Sequence, residues 1–384
     1  MVYINLETNL TIASYFNDNI APERLLRYLE ASTGERIIPE ETLIIFDEIQ
    51  SSERALTALK YFCEETPEYY IAAAGSLLDV AINRQHYSFP VGKVETLTLY
   101  PLDFEEYLGA RSQKLLSEEI RRAYEKMEPL PDALHQKAIE LYREYLLIGG
   151  MPACINAFLK SGSFLDVPLV QNEILDNYIA DMAKYASNTD SVKIRACYNS
   201  IPAQLAKDNK KFQYKVVQKG GSAALFGASI EWLNLAGVVL KCQRINQAIE
   251  PIAVYTDLSA FKLYMGDVGL LTMKSGLSQQ TVLSGEGNTF MGAVTENYVA
   301  QQLAAKGYDL YYWESSSTAE LDFVLQKGNQ IVGVEVKKGE HVRSRSLSVF
   351  VDSYKPAYSV RLSLKNFGEK DGLKSVPLYA AFCV

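Results

Sequence analysis

The hydrophobic positions of the first hundred residues form short apolar runs separated by segments with helical spacing. The clearest run extends from Leu43 to Phe46, and two acids, Asp47 and Glu48, follow it directly. A continuous apolar run predicts a strand that is buried on both faces, at the centre of a parallel sheet. Further strands are predicted at 2–7 and 69–74, with helices between them. This β-α-β-α-β order predicts an α/β fold with right-handed crossovers.

The pattern becomes mostly helical after residue 112. Apolar residues at helical spacing predict helices at 120–126, 133–147 and 170–187. The second helix is expected to end at Gly149-Gly150, because glycines followed shortly by Pro152 are typical of a helix C-terminus.

The segment 191–285 has the order of a winged-helix module. Helices are predicted near 194–205, 222–226 and 230–235, and a strand at 238–242. Five lysines interleaved with aromatic residues lie between the first two helices: Lys207, Lys210, Lys211, Lys215 and Lys219. They predict a basic face for nucleic-acid phosphates. A solvated lysine-rich loop and a protein-contact module stay open as alternatives.

The last hundred residues predict a helix at 292–304, which contains Glu296, followed by strands at 310–313, 320–325 and 331–337. Asp322 lies on the second strand. Glu335 and Lys337 lie on the third and share a face, because residues two apart on a strand point the same way.

This order of residues is similar to that of PD-(D/E)xK nucleases. The resemblance implies a restriction-endonuclease-like α/β domain in which Asp322 and Glu335 bind Mg²⁺ and Glu296 completes the metal shell. Lys337 would orient or activate water and stabilise negative charge on the phosphate. The three residues Asp322, Glu335 and Lys337 are therefore the candidate catalytic residues here. A domain that binds without cutting is the alternative.

Charge is distributed unevenly along the 384 residues, which carry a net charge of −8 and are long enough for two or three domains. Residues 1–112 contain 8 basic against 18 acidic residues, whereas 113–285 contain 19 against 17 and 286–384 contain 11 of each. A nucleic-acid surface is therefore expected in the last two thirds of the chain.

The rarer residue types exclude several classes of site. The five cysteines are scattered without a Cys-x-x-Cys pair, which favours free thiols in a reducing compartment over zinc. With three histidines, a His-centred catalytic site is not expected. No apolar run is long enough to cross a bilayer and no secretory signal is present, so a cytoplasmic protein without a membrane partner is predicted.

The two acids after the apolar run carry the first candidate chemistry. Open α/β sheets bind ligands at the carboxyl ends of their strands, which is where Asp47 and Glu48 are expected. An apolar strand followed by Asp-Glu is typical of the Walker B element of P-loop ATPases. There the first acid binds Mg²⁺ and the second polarises the attacking water. Ordinary solvated acids are the alternative.

Further motifs follow in a fixed order: Asp47-Glu48-Ile49-Gln50, a strand ending in Gly75-Ser76, Pro-Val-Gly-Lys-Val at 90–94 and Pro-Leu-Asp-Phe-Glu-Glu-Tyr-Leu at 101–108. This succession resembles prokaryotic AAA-type ATPases with a C-terminal domain of unknown function 4143. The resemblance implies that Ser76 lies at the sensor-1 position, where a polar side chain contacts the γ-phosphate of ATP.

Two features depart from that family. The chain contains no Gly-x-x-x-x-Gly-Lys-Ser/Thr motif, and Val94 follows its one Gly-Lys pair, Gly92-Lys93. The chain therefore looks as if it starts just after the P-loop, and we expect ATP to bind well only together with an upstream P-loop. Lys93 also stands where many relatives have arginine, and because lysine lacks the bidentate fork of an arginine finger, Lys93 is expected to be a solvated surface residue.

These observations predict an AAA ATPase core without Walker A at 1–112, a helical lid at 113–190, a winged-helix-like segment at 191–285 and a nuclease-like domain at 286–384. The first hypothesis is an ATP- and Mg²⁺-dependent ATPase coupled to a DNA-acting nuclease-like domain, with DNA bound by 191–219 and the last domain. The second is a non-catalytic DNA- or protein-binding module with vestigial sites. An ATPase acting on proteins and a homo-oligomer also stay open.

Overall fold

The computed structural model describes residues 1–75, 92–285, 288–315, 319–339 and 345–384. Ser76, the predicted sensor-1 residue, therefore lies outside the described residues, as do Pro90 and Val91. The chain divides into two compact units, Met1–Leu99 and Tyr100–Val384, which we call the N-terminal and the C-terminal unit.

The N-terminal unit contains the predicted parallel sheet. Its strands are β1 (Val2–Asn5), β2 (Leu43–Asp47) and β3 (Tyr70–Ala73), in the order β1-β2-β3. Both neighbouring pairs are parallel, and β2 is the central strand. The acid-tipped apolar run is thus the middle strand of a parallel sheet, as its sequence predicts.

The helices of this unit pack on one face of the sheet. They are Leu10–Ser14, Pro22–Thr33 and Glu53–Glu65, with a short 3₁₀ turn at Ile49–Ser51. Pro22 lies in the first turn of its helix, and Gly34 ends that helix in the left-handed conformation at φ 73°. Ser52 caps the third helix by accepting a hydrogen bond from the Ala55 N–H.

The opposite face of this sheet is exposed, so the prediction that β2 is buried on both faces is wrong. Tyr3, Leu43 and Tyr70 are 57%, 37% and 52% exposed, whereas Ile44 and Phe46 on the other face of β2 are buried. Two successive right-handed crossovers that progress in one direction place both long helices on the same side. The described residues of the unit supply no helix for the second side.

The C-terminal unit contains most of the helices. They are Phe104–Ala110, Lys114–Lys126, Asp132–Ile148, Pro152–Ser161, Val167–Tyr185, Asn188–Leu205, Tyr214–Val217, Ala223–Leu235, Val268–Ser275, Gln279–Ser284, Met291–Ala305 and Arg345–Tyr354, with 3₁₀ turns at Ile252–Tyr255 and Leu378–Cys383. Within the described residues, each helix is too short or too polar to cross a bilayer.

One mixed sheet runs through this unit. Its strands are β4 (Val239–Ile245), β5 (Thr256–Met265), β6 (Tyr311–Glu314), β7 (Glu320–Lys327), β8 (Gln330–Val336), β9 (Ser359–Ser363), β10 (Gly368–Lys370) and β11 (Leu373–Pro377). The order is β10-β11-β9-β8-β7-β6-β4-β5, and β4 pairs with β6 in parallel. The predicted segments 191–285 and 286–384 therefore share one sheet.

The helices predicted within 191–285 are partly different. The helices expected at 222–226 and 230–235 form one continuous helix, Ala223–Leu235, and a separate short helix at Tyr214–Val217 precedes it. The β4–β5 hairpin that follows is antiparallel. The second and third predicted helices are therefore not formed as predicted, and the hairpin that follows is part of the large sheet.

The helix Met291–Ala305 is the central helix of the C-terminal unit, and its polar residues are buried together with its apolar ones. Asn297 pairs with both the N–H and the carbonyl of Met265, at 2.7 and 3.0 Å. Gln301 accepts from the Val268 N–H and Gln302 from the Phe104 N–H, both at 2.9 Å. These amides satisfy backbone groups that would otherwise be buried without a partner.

Candidate functional sites

Asp47 is held at the carboxyl end of the central strand of the N-terminal unit. Its Oδ2 accepts hydrogen bonds from the hydroxyl of Tyr3 and from Nδ2 of Asn5, the latter at 3.2 Å. Its Oδ1 accepts from the Glu48 N–H at 3.0 Å. The hydrogen bond to the Asp47 carboxylate raises the pKa of the Tyr3 phenol. Two side chains of the adjacent strand β1 and one backbone N–H thus orient this carboxylate.

Glu48 has a strained backbone conformation. Its φ of 52° and ψ of 43° place it in the left-handed region, which is unusual for a residue other than glycine or asparagine. Gln50 donates a hydrogen bond from its side-chain amide to the Glu48 carboxylate. Gly75 lies so close to Gln50 that a Cβ at this position would clash with the Gln50 side chain. Strain of this kind is concentrated at functional sites.

The N-terminal acids fit a Mg²⁺–nucleotide complex in their donor chemistry. Mg²⁺ is usually bound by one or two carboxylates together with substrate phosphates and water, and Asp47 supplies a hard oxygen donor at a strand end. Lys93 pairs with Glu64 at 3.1 Å and is partly exposed, an ordinary surface ion pair.

The second set of predicted site residues lies on the β7–β8 hairpin. The antiparallel register pairs Phe323 with Val334, so Asp322 and Glu335 are the next residues along the two strands. Asp322 Oδ2 accepts a hydrogen bond from the Val336 N–H at 2.8 Å. The register between β6 and β7 shifts by one residue beside Asp322, a bulge that changes the direction of nearby side chains.

Glu335 is buried and paired with two cations. Its carboxylate lies 3.2 Å from Lys337 Nζ and 3.4 Å from Nε of Arg361, its neighbour on β9. Glu335 shares a face of β8 with Gly333, where an added Cβ would clash with Phe350 of the helix Arg345–Tyr354. The predicted Glu-x-Lys pair is therefore present, on this face of the sheet.

Glu296 lies among different partners, on the side of the sheet covered by its own helix. Its carboxylate pairs with Lys210 and with Lys262, the latter at 3.1 Å, and accepts a hydrogen bond from the Tyr264 hydroxyl. Lys262 also lies 2.6 Å from Glu320 and 4.9 Å from the ring centre of Tyr312. Lys262 is 0% exposed.

The pKa values of the two buried acids shift in opposite directions. Burial raises the pKa of Asp322, and the negative charge of Glu296 raises it further, to about 6. Burial also acts to raise the pKa of Glu296, but the charges of Lys262 and Lys210 outweigh it and hold that pKa at about 2. Glu296 thus loses its proton at a lower pH than Asp322 does.

The structure does not assemble the predicted metal shell of Asp322, Glu335 and Glu296. Across the described ranges, no three Asp, Glu, His or Cys side chains converge on a point where a metal ion could be held. Val334 and Val336 pack in the same core as the helix of Glu296, so Glu335 points to the other face of the sheet. Lysine nitrogens, rather than open coordination space, surround Glu296. The residues present do not fit the predicted Mg²⁺ ion.

Several lysines of the predicted basic segment make ion pairs or hydrogen bonds within the C-terminal unit. Lys210 pairs with Glu296, and Lys211 pairs with Glu314 at 2.6 Å. Lys207 donates to the side-chain oxygen of Gln213 at 3.2 Å. Lys215 and Lys219 are exposed. The basic face predicted for nucleic acid therefore has fewer outward lysines than the sequence suggests.

Two residues with defined roles were missed in the sequence. Asp267, for which the sequence offered no role, caps the helix Val268–Ser275 and also accepts the Gly150 N–H at 2.6 Å. Lys262 lies in an apolar strand segment, between Phe261 and Leu263. A lysine within such a run is the feature that could have predicted a buried charge.

Comparison with known families assigns the two ends of the chain. Residues 1–108 match the family described as AAA domain, and residues 291–381 match a domain of unknown function (DUF4143). The two ends of the chain are therefore similar to an AAA domain and to this DUF4143 domain. A second domain of unknown function (DUF8612) matches residues 139–281 between them.

Individual relatives are similar over shorter stretches. The chain is 37% identical over 79 residues to an uncharacterized protein of Mycobacterium bovis, Mb2031c, and equally to one of Mycobacterium tuberculosis, Rv2008c. The match covers 20% of this chain and 18% of each relative. A solved Walker-type ATPase of Pyrococcus abyssi is 14% identical over 66% of both chains, with a TM-score of 0.38, too low to support an argument.

Proposed function

We propose that the AAA domain supplies the magnesium-binding and water-orienting acids of an ATP-hydrolysing site. The observation that carries this proposal is the position of Asp47 and Glu48 at the carboxyl end of the central parallel strand. Each carboxylate is oriented by a neighbouring side chain rather than left in solvent. The match of residues 1–108 to an AAA domain supports the same proposal.

The proposed roles are those that the resemblance to a Walker B element implies. Asp47 would hold Mg²⁺, whose charge neutralises phosphate oxygens, and Glu48 would orient the attacking water. Asn5 and Tyr3 fix the Asp47 carboxylate, and Gln50 fixes Glu48. A glycine-rich phosphate loop is not contained in the 384 residues, so another polypeptide segment would have to supply it.

Nucleotide binding tests the proposal. We expect the chain alone to bind ATP with Mn²⁺ weakly, because the phosphate loop is missing. Asp47→Asn should weaken this binding at least about tenfold, since one metal-bound carboxylate is lost. Glu48→Gln should bind like the wild type, because its role is in hydrolysis. Electron paramagnetic resonance of Mn²⁺ with ATP measures both variants.

Glu64→Gln is the matched control, because Glu64 is an acid of the same unit that pairs with Lys93 away from the strand ends. Equal Mn²⁺–ATP binding by the wild type and Asp47→Asn would contradict the proposal. Loss of binding in the Glu64 variant would show that the effect comes from net charge rather than from the site.

For the C-terminal unit we propose binding rather than cleavage, with DNA as the partner to test. The absence of cleavage rests on Glu296, whose carboxylate is paired with two lysines, and DNA as the partner rests on the exposed Lys215 and Lys219. Gel assays with linear and supercoiled DNA and Mg²⁺ or Mn²⁺ should show no cutting, and fluorescence anisotropy should show salt-dependent binding. Metal-dependent cutting that Asp322→Ala and Lys337→Ala abolish would contradict this proposal and restore the nuclease hypothesis.

A further inference from the structure

A fully buried lysine is unusual, and Lys262 contacts Glu296, which the sequence predicts to bind a metal ion. Its Nζ is 3.1 Å from Glu296 and 2.6 Å from Glu320. Asp322 is close enough for its charge to act on Lys262. Two carboxylates thus contact one ammonium group, and the charge of a third carboxylate acts on it.

The neighbouring groups complete this arrangement. Tyr264, two residues along β5 and on the same face, donates its hydroxyl to Glu296. Lys210 pairs with the second oxygen of the Glu296 carboxylate. It lies in the segment between the helices Asn188–Leu205 and Tyr214–Val217. The face of the Tyr312 ring lies 4.9 Å from Lys262 Nζ, a favourable position for a cation.

Electrostatics require this positive charge. Buried carboxylates are costly unless a cation is paired with them, and the cation can be a metal ion or a side chain. Here the ammonium groups of Lys262 and Lys210 take that role, and both ion pairs are made by buried or nearly buried atoms. A divalent ion in the same place would have to displace Lys262 against strong charge repulsion.

We propose that Lys262 is a built-in cation that replaces the divalent metal in the acidic cluster of the C-terminal unit. The cluster of Glu296, Glu320 and Asp322 then needs no metal ion to fold, and it does not take up Mg²⁺. This inference is independent of the ATPase proposal, because all of its residues lie in the C-terminal unit.

Metal binding by the intact chain tests the proposal directly. All measurements use the Asp47→Ala background, which removes the metal site proposed for the N-terminal unit. In this background we expect Mn²⁺ paramagnetic resonance to show no saturable binding up to millimolar metal. Saturable binding that disappears with Asp322→Asn would overturn the proposal.

The substitution Lys262→Ala should convert the cluster into a metal site. It removes the ammonium group that contacts Glu296 and Glu320, while Lys210 still pairs with Glu296, so the melting temperature should fall and then recover when Mn²⁺ is added. Recovery by at least about 3 °C is expected if the metal is present well above its dissociation constant. Lys262→Arg keeps the charge and should show no metal-dependent recovery.

The result for Lys262→Ala separates the outcomes. A variant that folds but gains no Mn²⁺ stabilisation contradicts the proposal. If the variant does not fold, Lys210→Met provides a milder test: Lys262 still pairs with Glu296 and Glu320, so this variant should show no saturable Mn²⁺ binding, and binding would contradict the proposal. In either case, Mn²⁺ binding by the chain that carries Asp47→Ala alone still tests the proposal.

Discussion

At the scale of single residues, Asp267 connects two segments that are distant in sequence. Its Oδ1 accepts from the Leu270 N–H at 2.9 Å, and its Oδ2 accepts from the Gly150 N–H at 2.6 Å. Burial raises the pKa of this carboxyl, while these backbone hydrogen bonds act to lower it. The residue is buried and stabilises a helix start and a glycine turn together.

Asp267→Ala should therefore be strongly destabilising. It removes a helix cap and leaves the buried Gly150 N–H without its acceptor, which together cost about 2–4 kcal/mol in the free energy of unfolding. Urea unfolding followed by circular dichroism measures the change. Ser278→Ala, which removes the exposed cap of the helix Gln279–Ser284, is the control and should cost about 1 kcal/mol or less. Equal losses would show that the contact with Gly150 contributes nothing.

Asp322 should make stability depend on pH. Its pKa is raised to about 6 in the folded protein, above the value of about 3.9 for an unfolded chain. The folded state then binds more protons than the unfolded state between these values, so the contribution of Asp322 to stability falls as pH rises through this window. Asp322→Asn removes this pH-dependent contribution. Between pH 4 and 6 the free energy of unfolding of the variant, relative to that of the wild type, should rise by on the order of 1–3 kcal/mol.

Unfolding curves at several pH values measure this difference. Asp352→Asn, an exposed acid on the helix Arg345–Tyr354, is the control and should change little with pH relative to the wild type. A constant offset between Asp322→Asn and the wild type over this window would contradict the raised pKa of Asp322.

At the scale of helices and strands, the periodic patterns predicted the elements well. The acid-tipped strand, the β7–β8 hairpin and the helix of Glu296 all form where their sequences indicate. These elements depend on local spacing, which a sequence shows directly. The side of the sheet that an acid faces depends on bulges and on packing, which spacing alone does not show. The predicted metal shell failed for that reason.

The glycine turn after the helix Asp132–Ile148 gives a prediction at this scale. Gly149 has a φ of 77°, and a Cβ there would clash with Asp267. Gly149→Ala should lower the melting temperature by several degrees, since it combines backbone strain with displacement of a buried carboxylate. Gly292→Ala is the matched control, because Gly292 lies within a helix and nothing is within 4 Å of an added Cβ. The control should be neutral or slightly stabilising.

At the scale of the whole molecule, the hydrophobic cores follow the two units. One core consists of residues from Val2 to Phe62, and the other two contain residues from Phe104 onward. Sequence predicted four segments with boundaries at 112, 190 and 285, because changes in pattern and charge suggested them. The last three segments lie together within the C-terminal unit, where one sheet connects residues 239–377. Strand pairing across distant segments is a tertiary property that no local pattern reveals.

Separate cores should unfold separately. We expect calorimetry of the intact chain to resolve two transitions, since the core of the N-terminal unit can lose its packing without the two cores of the C-terminal unit. Phe46→Leu, in the core of the N-terminal unit, should lower one transition, and Leu303→Ala, in the central helix of the C-terminal unit, should lower the other. Each substitution creates a cavity that should lower the free energy of unfolding of its own unit by about 1–4 kcal/mol. A single transition that both substitutions shift equally would mean that the two units unfold as one cooperative body. The stability of the site at Asp47 and Glu48 would then depend on the acidic cluster around Lys262.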